Sequence, residues 1–163
     1  MPIHTLHRRF VIAAPREVAW DFFSDPRNLA RITPSELGFQ IITPDLPPRI
    51  HAGLLIAYRV TPIFGIPLTW LTEITQVSGR EYFVDEQRAG PYALWHHEHW
   101  FRDTGAGTVE VEDRVTYVLP FGWLGDLAHP WLVAPQLERI FAFREKTMRE
   151  LFPPDPARSS EVA

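Results

Sequence analysis

The stretch "TVEVEDRVTYVL", Thr108 to Leu119, alternates between two kinds of side chain. Successive residues of a strand point to opposite faces. Val109, Val111, Asp113, Val115 and Tyr117 therefore share one side, and Thr108, Glu110, Glu112, Arg114 and Thr116 share the other. The first set reads as a core-facing row interrupted by a single carboxylate, Asp113. The second reads as a water-facing row. Beyond it the period changes. Leu137, Ile140, Phe141, Met148, Leu151 and Phe152 recur at helical spacing, which predicts a helix of about five turns with one apolar side. Pro130 and Pro135 confine its regular part to the residues after them, and "PFGWLG" (Pro120–Gly125) reads as a loop.

Upstream of this strand the same period of two recurs between turn-type segments such as "TPDLPPRIHAG", "TPIFGIP", "VSGR", "RAGPY" and "DTGAGT". Strands are predicted over Leu37–Thr43, Leu54–Thr61, Leu68–Val77, Glu81–Arg88 and Ala93–Arg102. With Ile3–Ile12 at the start the count is seven, most simply an antiparallel meander. Between the first two strands lie two short helices. "APREVAWDFFSD" has Pro15 at its first turn and Val18, Ala19, Phe22 and Phe23 on one side, and "PRNLARI" ends before Pro34. A strand, two short helices, six strands and a long helix have one economical arrangement: an α+β fold in which a curved antiparallel sheet buries one face against the last helix. One domain over residues 1–152 is expected, with 153–163 as a flexible tail.

Composition narrows the function. Of 163 residues 45% are hydrophobic and 22% charged, the balance of a globular protein, and the formal charge of -4 comes with no basic block, which argues against nucleic acid as a partner. The absence of cysteine excludes disulfides, thiolate zinc sites and cysteine nucleophiles. "MPIHTLHRRFVIAAPREV" lacks the apolar segment of a secretory signal, and "GLLIAY" is far too short to span a bilayer, so a cytoplasmic location is expected.

"PREVAWDFFSDPRNLARITP", "FVDEQRAGPYALWHHEHWF", "GTVEVEDRVTYVLPFG" and "LERIFAFRE" together resemble the START-like, birch-pollen-allergen-like superfamily with the helix-grip fold, and within it the bacterial polyketide cyclase/dehydrase-type proteins. The resemblance covers about Ile3 to Phe152. It implies a cavity between sheet and C-terminal helix for a lipid, polyketide, steroid or other apolar molecule. Members include carriers, sensors and cyclases, and the fold does not select among them.

Alternation also orients "YALWHHEHWF", Tyr92 to Phe101. Glu98 and His96 suit the wet side, which turns Trp95, His97, His99 and Phe101 inward. In the preceding strand Glu86 and Arg88 face out and Phe83, Asp85 and Gln87 face in. If "RAGPY" and "TGAG" close the two hairpins, Asp85 falls opposite His97 and Asp113 opposite His99, at Cβ separations of about 4.5–5.5 Å. Buried charges need partners, so carboxylates and imidazoles should pair. Arg144 lies on or beside the apolar stripe of the long helix; it reaches Asp113 or Asp85, anchors a polar ligand group, or snorkels to water.

Three functions fit these residues. The first is binding or transport of a small apolar or amphipathic molecule by a monomer or homodimer, with His97, His99, Asp85, Asp113, Arg144 and Gln87 as polar contacts and Trp70, Trp95, Phe83, Phe101, Tyr58 and Tyr117 as walls. The second is a cyclase or dehydratase in which a His–Asp pair moves protons. The third is a buried polar network that only specifies the fold. No cofactor is expected. A metal held by His97 and His99 with Asp85 or Asp113 is not assigned, because hydrogen bonding of the imidazoles already accounts for both carboxylates. Two apolar loops, Pro62–Pro67 and Pro120–Gly125, would gate the cavity through Phe64 and Trp123, or touch a membrane or partner.

Overall fold

In the computed structural model, which describes residues 2–61, 65–105 and 107–154, the chain forms one antiparallel sheet gripping a C-terminal helical segment. The strands are β1 (His4–Ile12), β2 (Gln40–Ile41), β3 (Leu55–Val60), β4 (Leu68–Ser78), β5 (Tyr82–Ala89), β6 (Leu94–Gly105) and β7 (Thr108–Val118). Their spatial order is β1-β7-β6-β5-β4-β3-β2, a meander closed at one side by the first strand. The seven expected strands are present, with one correction. Leu37–Thr43 contributes only Gln40 and Ile41 to the sheet, because Ser35–Leu37 makes a 3-10 turn ending on Gly38 at φ 53°. A left-handed residue there is cheap only for glycine, and it breaks the run before pairing can begin.

Helix α1 (Arg16–Phe23) and the 3-10 helix Pro26–Ile32 cap one end of the sheet. The apolar face of α1 differs from expectation. Ala19, Trp20, Phe22 and Phe23 are buried while Val18 is exposed. At about 100° per residue the centre of that face falls between Ala19 and Phe23, which brings in Trp20 and rotates Val18 out. Trp20 stands edge-on to Phe83 and Phe101 at 6.1 and 5.7 Å between ring centroids.

After Leu119 the chain becomes helical earlier than its prolines suggest. Helix α2 (Trp123–Ala128), a π-helical turn (His129–Val133) and α3 (Ala134–Leu151) run on without a break. Pro130 sits at the start of the π turn and Pro135 in the first turn of α3, positions where a missing N–H costs little. The regular part, α3, has the expected five turns, and Leu137, Phe141, Arg144 and Met148 are its buried residues. Leu137 and Phe141 pack on Leu6, Trp95, Val115 and Tyr117, while Met148 joins the larger cluster around Phe10, Phe101 and Val111.

The sheet's outer face corrects a second expectation. Glu112 belongs to the row assigned to water, yet its side chain is fully buried. It accepts from His7 Nε2 at 2.6 Å, Arg114 Nε at 2.8 Å and Arg9 Nη2 at 3.2 Å, and it is also paired with Arg102. The long stems of these cations lie over it and exclude water. Burial works against its charge, but the bonds from Arg114, Arg102, His7 and Arg9 win and hold the carboxyl far below its ordinary pKa. Among the described residues no helix is long and apolar enough to cross a membrane.

Candidate functional site: two carboxylates and two imidazoles beside a cavity

The inner faces of β5, β6 and β7 bring four ionisable side chains together, and α3 adds a fifth. The strand register matches expectation: Asp85 lies opposite His97, and His99 opposite Asp113. The hydrogen bonds, however, run along the diagonals. His97 Nε2 donates to Asp113 Oδ1 at 2.9 Å, and His99 Nε2 donates to Asp85 Oδ2 at 2.7 Å. Each imidazole leans along its strand past the residue directly opposite, so its far nitrogen meets the next carboxylate. The two rings lie against each other, tilted by 38°, with centroids 3.7 Å apart.

Arg144 completes the cluster. It is 6% exposed, which settles its place in the core rather than at the rim. Its Nη1 donates to Asp113 Oδ1 at 3.0 Å, and its guanidinium lies 4.9 Å from the Phe141 ring centroid. Asp113 therefore serves as a hub, fully buried behind the imidazoles. Burial alone would raise its pKa; Arg144, then His97 and His99, hold it well below the carboxylate range. Asp85 is lowered in the same way, with burial overcome by His97, His99 and Arg144.

The two histidines are shifted in opposite directions. Burial, and then the neighbouring His99, push His97 down to about 4, so it is neutral at pH 7. Burial opposes charge on His99 too, but Asp113 and Asp85 outweigh it and raise its pKa. His99 Nδ1 lies 3.1 Å from Asp113 Oδ1, off the line that a hydrogen bond needs, so that contact is Coulombic. Arg144 and the bonds from both imidazoles offset the charge of the two carboxylates, which is what makes the cluster's burial tolerable.

A cavity of about 320 Å³ lies between the sheet, α1, the 3-10 helix and α3. Asp85, His97, His99 and Arg144 form its polar wall. Tyr58, Trp70, Phe83 and Trp95, four of the expected wall aromatics, line it. Tyr58 shares a 2.7 Å hydrogen bond with Thr72, and burial, followed by the Asp85 charge, raises its pKa so that the phenol stays protonated. Trp70 Nε1, Arg144 Nε and Asp113 Oδ2 are buried without a hydrogen-bond partner among the described residues.

Four of the expected contacts stand elsewhere. Asp113 is behind the wall. Gln87 is turned toward the hairpin, where it donates to the Tyr92 carbonyl at 2.6 Å and accepts from its N–H at 3.2 Å. Phe101 packs under α1 against Trp20 and Phe23. Tyr117 hydrogen-bonds His129 Nε2 at 2.7 Å near the end of α2. Phe64 lies outside the described residues, and Trp123 sits in α2, 73% exposed and away from the cavity wall. Residues not expected from the sequence line the wall as well, among them Phe22, Phe23, Leu29, Thr72, Tyr92 and Ile140. Ile140 and Thr72 carried a periodicity signal; Leu29, from a 3-10 helix, carried none.

One donor atom from each of Asp85, His97 and His99 lies within 4.8 Å of the other two, a set able to hold a metal ion.

No family model matches the sequence, and no curated protein matches it. Solved structures do match. An aromatase/cyclase from a Streptomyces species superposes with a TM-score of 0.69 at 15% identity, over 99% of this chain and 97% of that one. A START superfamily protein from Mycobacterium smegmatis gives 0.65 at 15% identity, over 91% and 99%. A major latex-like protein from Panax ginseng gives 0.66 at 12% identity, over 93% and 99%. The chain shares the helix-grip fold of these structures.

Proposed function

We propose that the protein binds a small apolar or amphipathic molecule in the cavity, with the polar end of the ligand set against His97, His99, Asp85 and Arg144. The observation that carries this reading is the chemistry of the wall. Aromatic and aliphatic side chains make up most of the lining, and Asp85, His97, His99 and Arg144 meet on it from two strands and a helix. Sites for small ligands have this composition, apolar overall with a few placed polar groups, at volumes of about 300–1,000 Å³. Trp70 Nε1 and Arg144 Nε, buried without protein partners among the described residues, are donors that a ligand oxygen can satisfy.

Native mass spectrometry before and after solvent extraction tests it. The expected result is a co-purifying apolar molecule, or uptake of an anilinonaphthalene sulfonate fluorophore by the extracted protein, either one blocked by Thr72→Trp. A protein that carries nothing, and takes up no fluorophore that Thr72→Trp blocks, refutes the proposal.

A proton-transfer enzyme is the second reading, favoured by His97, a neutral imidazole on the cavity wall that is oriented by Asp113. The likeness to an aromatase/cyclase is one of fold. His97→Ala separates the two readings: lost turnover of a candidate substrate with retained affinity identifies an enzyme.

A further inference from the structure

The paired imidazoles present two edges. On one, His97 Nε2 and His99 Nδ1 both face Asp113 Oδ1, at 2.9 and 3.1 Å. On the other, His97 Nδ1 and His99 Nε2 both face Asp85 Oδ2, at 3.5 and 2.7 Å. The first edge contains a fixed cation, Arg144, at 3.0 Å from the same oxygen. The second edge faces the cavity. Each carboxylate takes one imidazole hydrogen bond, His97 to Asp113 and His99 to Asp85, and the cavity-facing edge brings His97 Nδ1 to the same Asp85 oxygen that His99 Nε2 already meets.

We propose that the cavity-facing edge is a binding site for a divalent first-row transition ion of the zinc or iron class, ligated by Asp85, His97 Nδ1 and His99 Nε2. Two imidazoles and one carboxylate suit such ions. At metal–ligand distances of about 2.1 Å a tetrahedral site separates its ligand atoms by about 3.4 Å. His97 Nδ1 and Asp85 Oδ2 already stand at 3.5 Å, and His99 Nε2 has to draw back from Asp85 by less than the length of a bond. The non-ligating nitrogen of His97, Nε2, is held as outer-shell histidine nitrogens are, donating to a carboxylate. That carboxylate, Asp113, is fixed by Arg144, so ring orientation is set before any ion arrives. Three protein ligands on a cavity wall leave a coordination position open to the cavity, the pattern of a reactive rather than a structural site. With the ion bound, Arg144 and the metal carry three positive charges against two carboxylates. The open position therefore suits an anionic oxygen such as a carboxylate, phenolate or enolate. This last step rests on the ligand-binding reading; the ion's own site does not.

The test is titration of chelator-treated, solvent-extracted wild-type protein with Co²⁺, followed by its visible absorption, with no apolar molecule present. The expected result is one ion per chain, lost in Asp85→Asn, His97→Ala and His99→Ala, and held 10- to 100-fold more weakly in Asp113→Asn. The control His96→Ala, on the opposite face beside Glu86, changes nothing. Absence of saturable binding overturns the proposal, and so does binding that survives His97→Ala but is lost in His96→Ala. X-ray absorption of the zinc-loaded wild type decides even if a variant fails to fold: two imidazoles are expected, and fewer refute the site. Failure here leaves the ligand-binding reading standing, and failure of fluorophore uptake leaves metal binding standing.

Discussion

Asp113 receives Arg144 and His97 on one oxygen, and its side chain is fully buried. Removing one member of such a buried set strands the others, so Asp113→Ala is expected to cost about 3–5 kcal/mol in urea unfolding. Asp113→Leu combined with Arg144→Met removes both charges and replaces them with packed carbon; it should recover most of that loss. A single substitution costing less than about 1 kcal/mol would show that water reaches the hub. At this scale the sequence is informative through parity. Asp85, Asp113, His97 and His99 fall on one side of the sheet because each sits an even number of positions from an apolar neighbour on its strand. Which nitrogen meets which oxygen is not legible, because that depends on how far each ring leans along the strand.

The elements are joined by contacts that alternation does not anticipate. Glu112 ties β1, β6 and β7 together on the outer face through His7, Arg9, Arg102 and Arg114. Its folded pKa is depressed, so its stabilisation is present above the unfolded value of about 4.3 and is lost as pH falls. The urea midpoint of the wild type should therefore exceed that of Glu112→Gln at neutral pH, with the gap closing as the solution is acidified below that value. A gap that does not change with pH refutes this account. Helix α1 makes a different prediction. Trp20 is buried against two phenylalanines, and Trp20→Ala should cost about 3–5 kcal/mol. Trp123→Ser, on the exposed side of α2, should stay within about 0.5 kcal/mol of wild type by the same urea measurement. Periodicity places α1 and α3 correctly but leaves α2 as a loop, because Pro130 and Pro135 look like barriers. Pro130 instead opens a π turn, and Pro135 falls in the first turn of α3.

At the scale of the whole molecule, β1 must find β7 across about a hundred residues before the sheet is complete, as the pairing of His4 with Tyr117 shows. Pairing over such distances is slow, and refolding followed by tryptophan fluorescence is expected in milliseconds to seconds rather than microseconds. Refolding within microseconds would mean that this pairing is not limiting. The sequence by itself determined the order of the strands, their inner faces and the buried stripe of α3, since those come from periods of 2 and 3.6 that one residue and its near neighbours set. Tertiary structure alone decided three things. It drew Arg144 inward onto Asp113, covered Glu112 with cations from two other strands, and divided the expected aromatics between the cavity wall and the packed core. Each depends on where a distant element comes to rest, and the energy of a charge depends on all the groups around it, not on its own place in the chain.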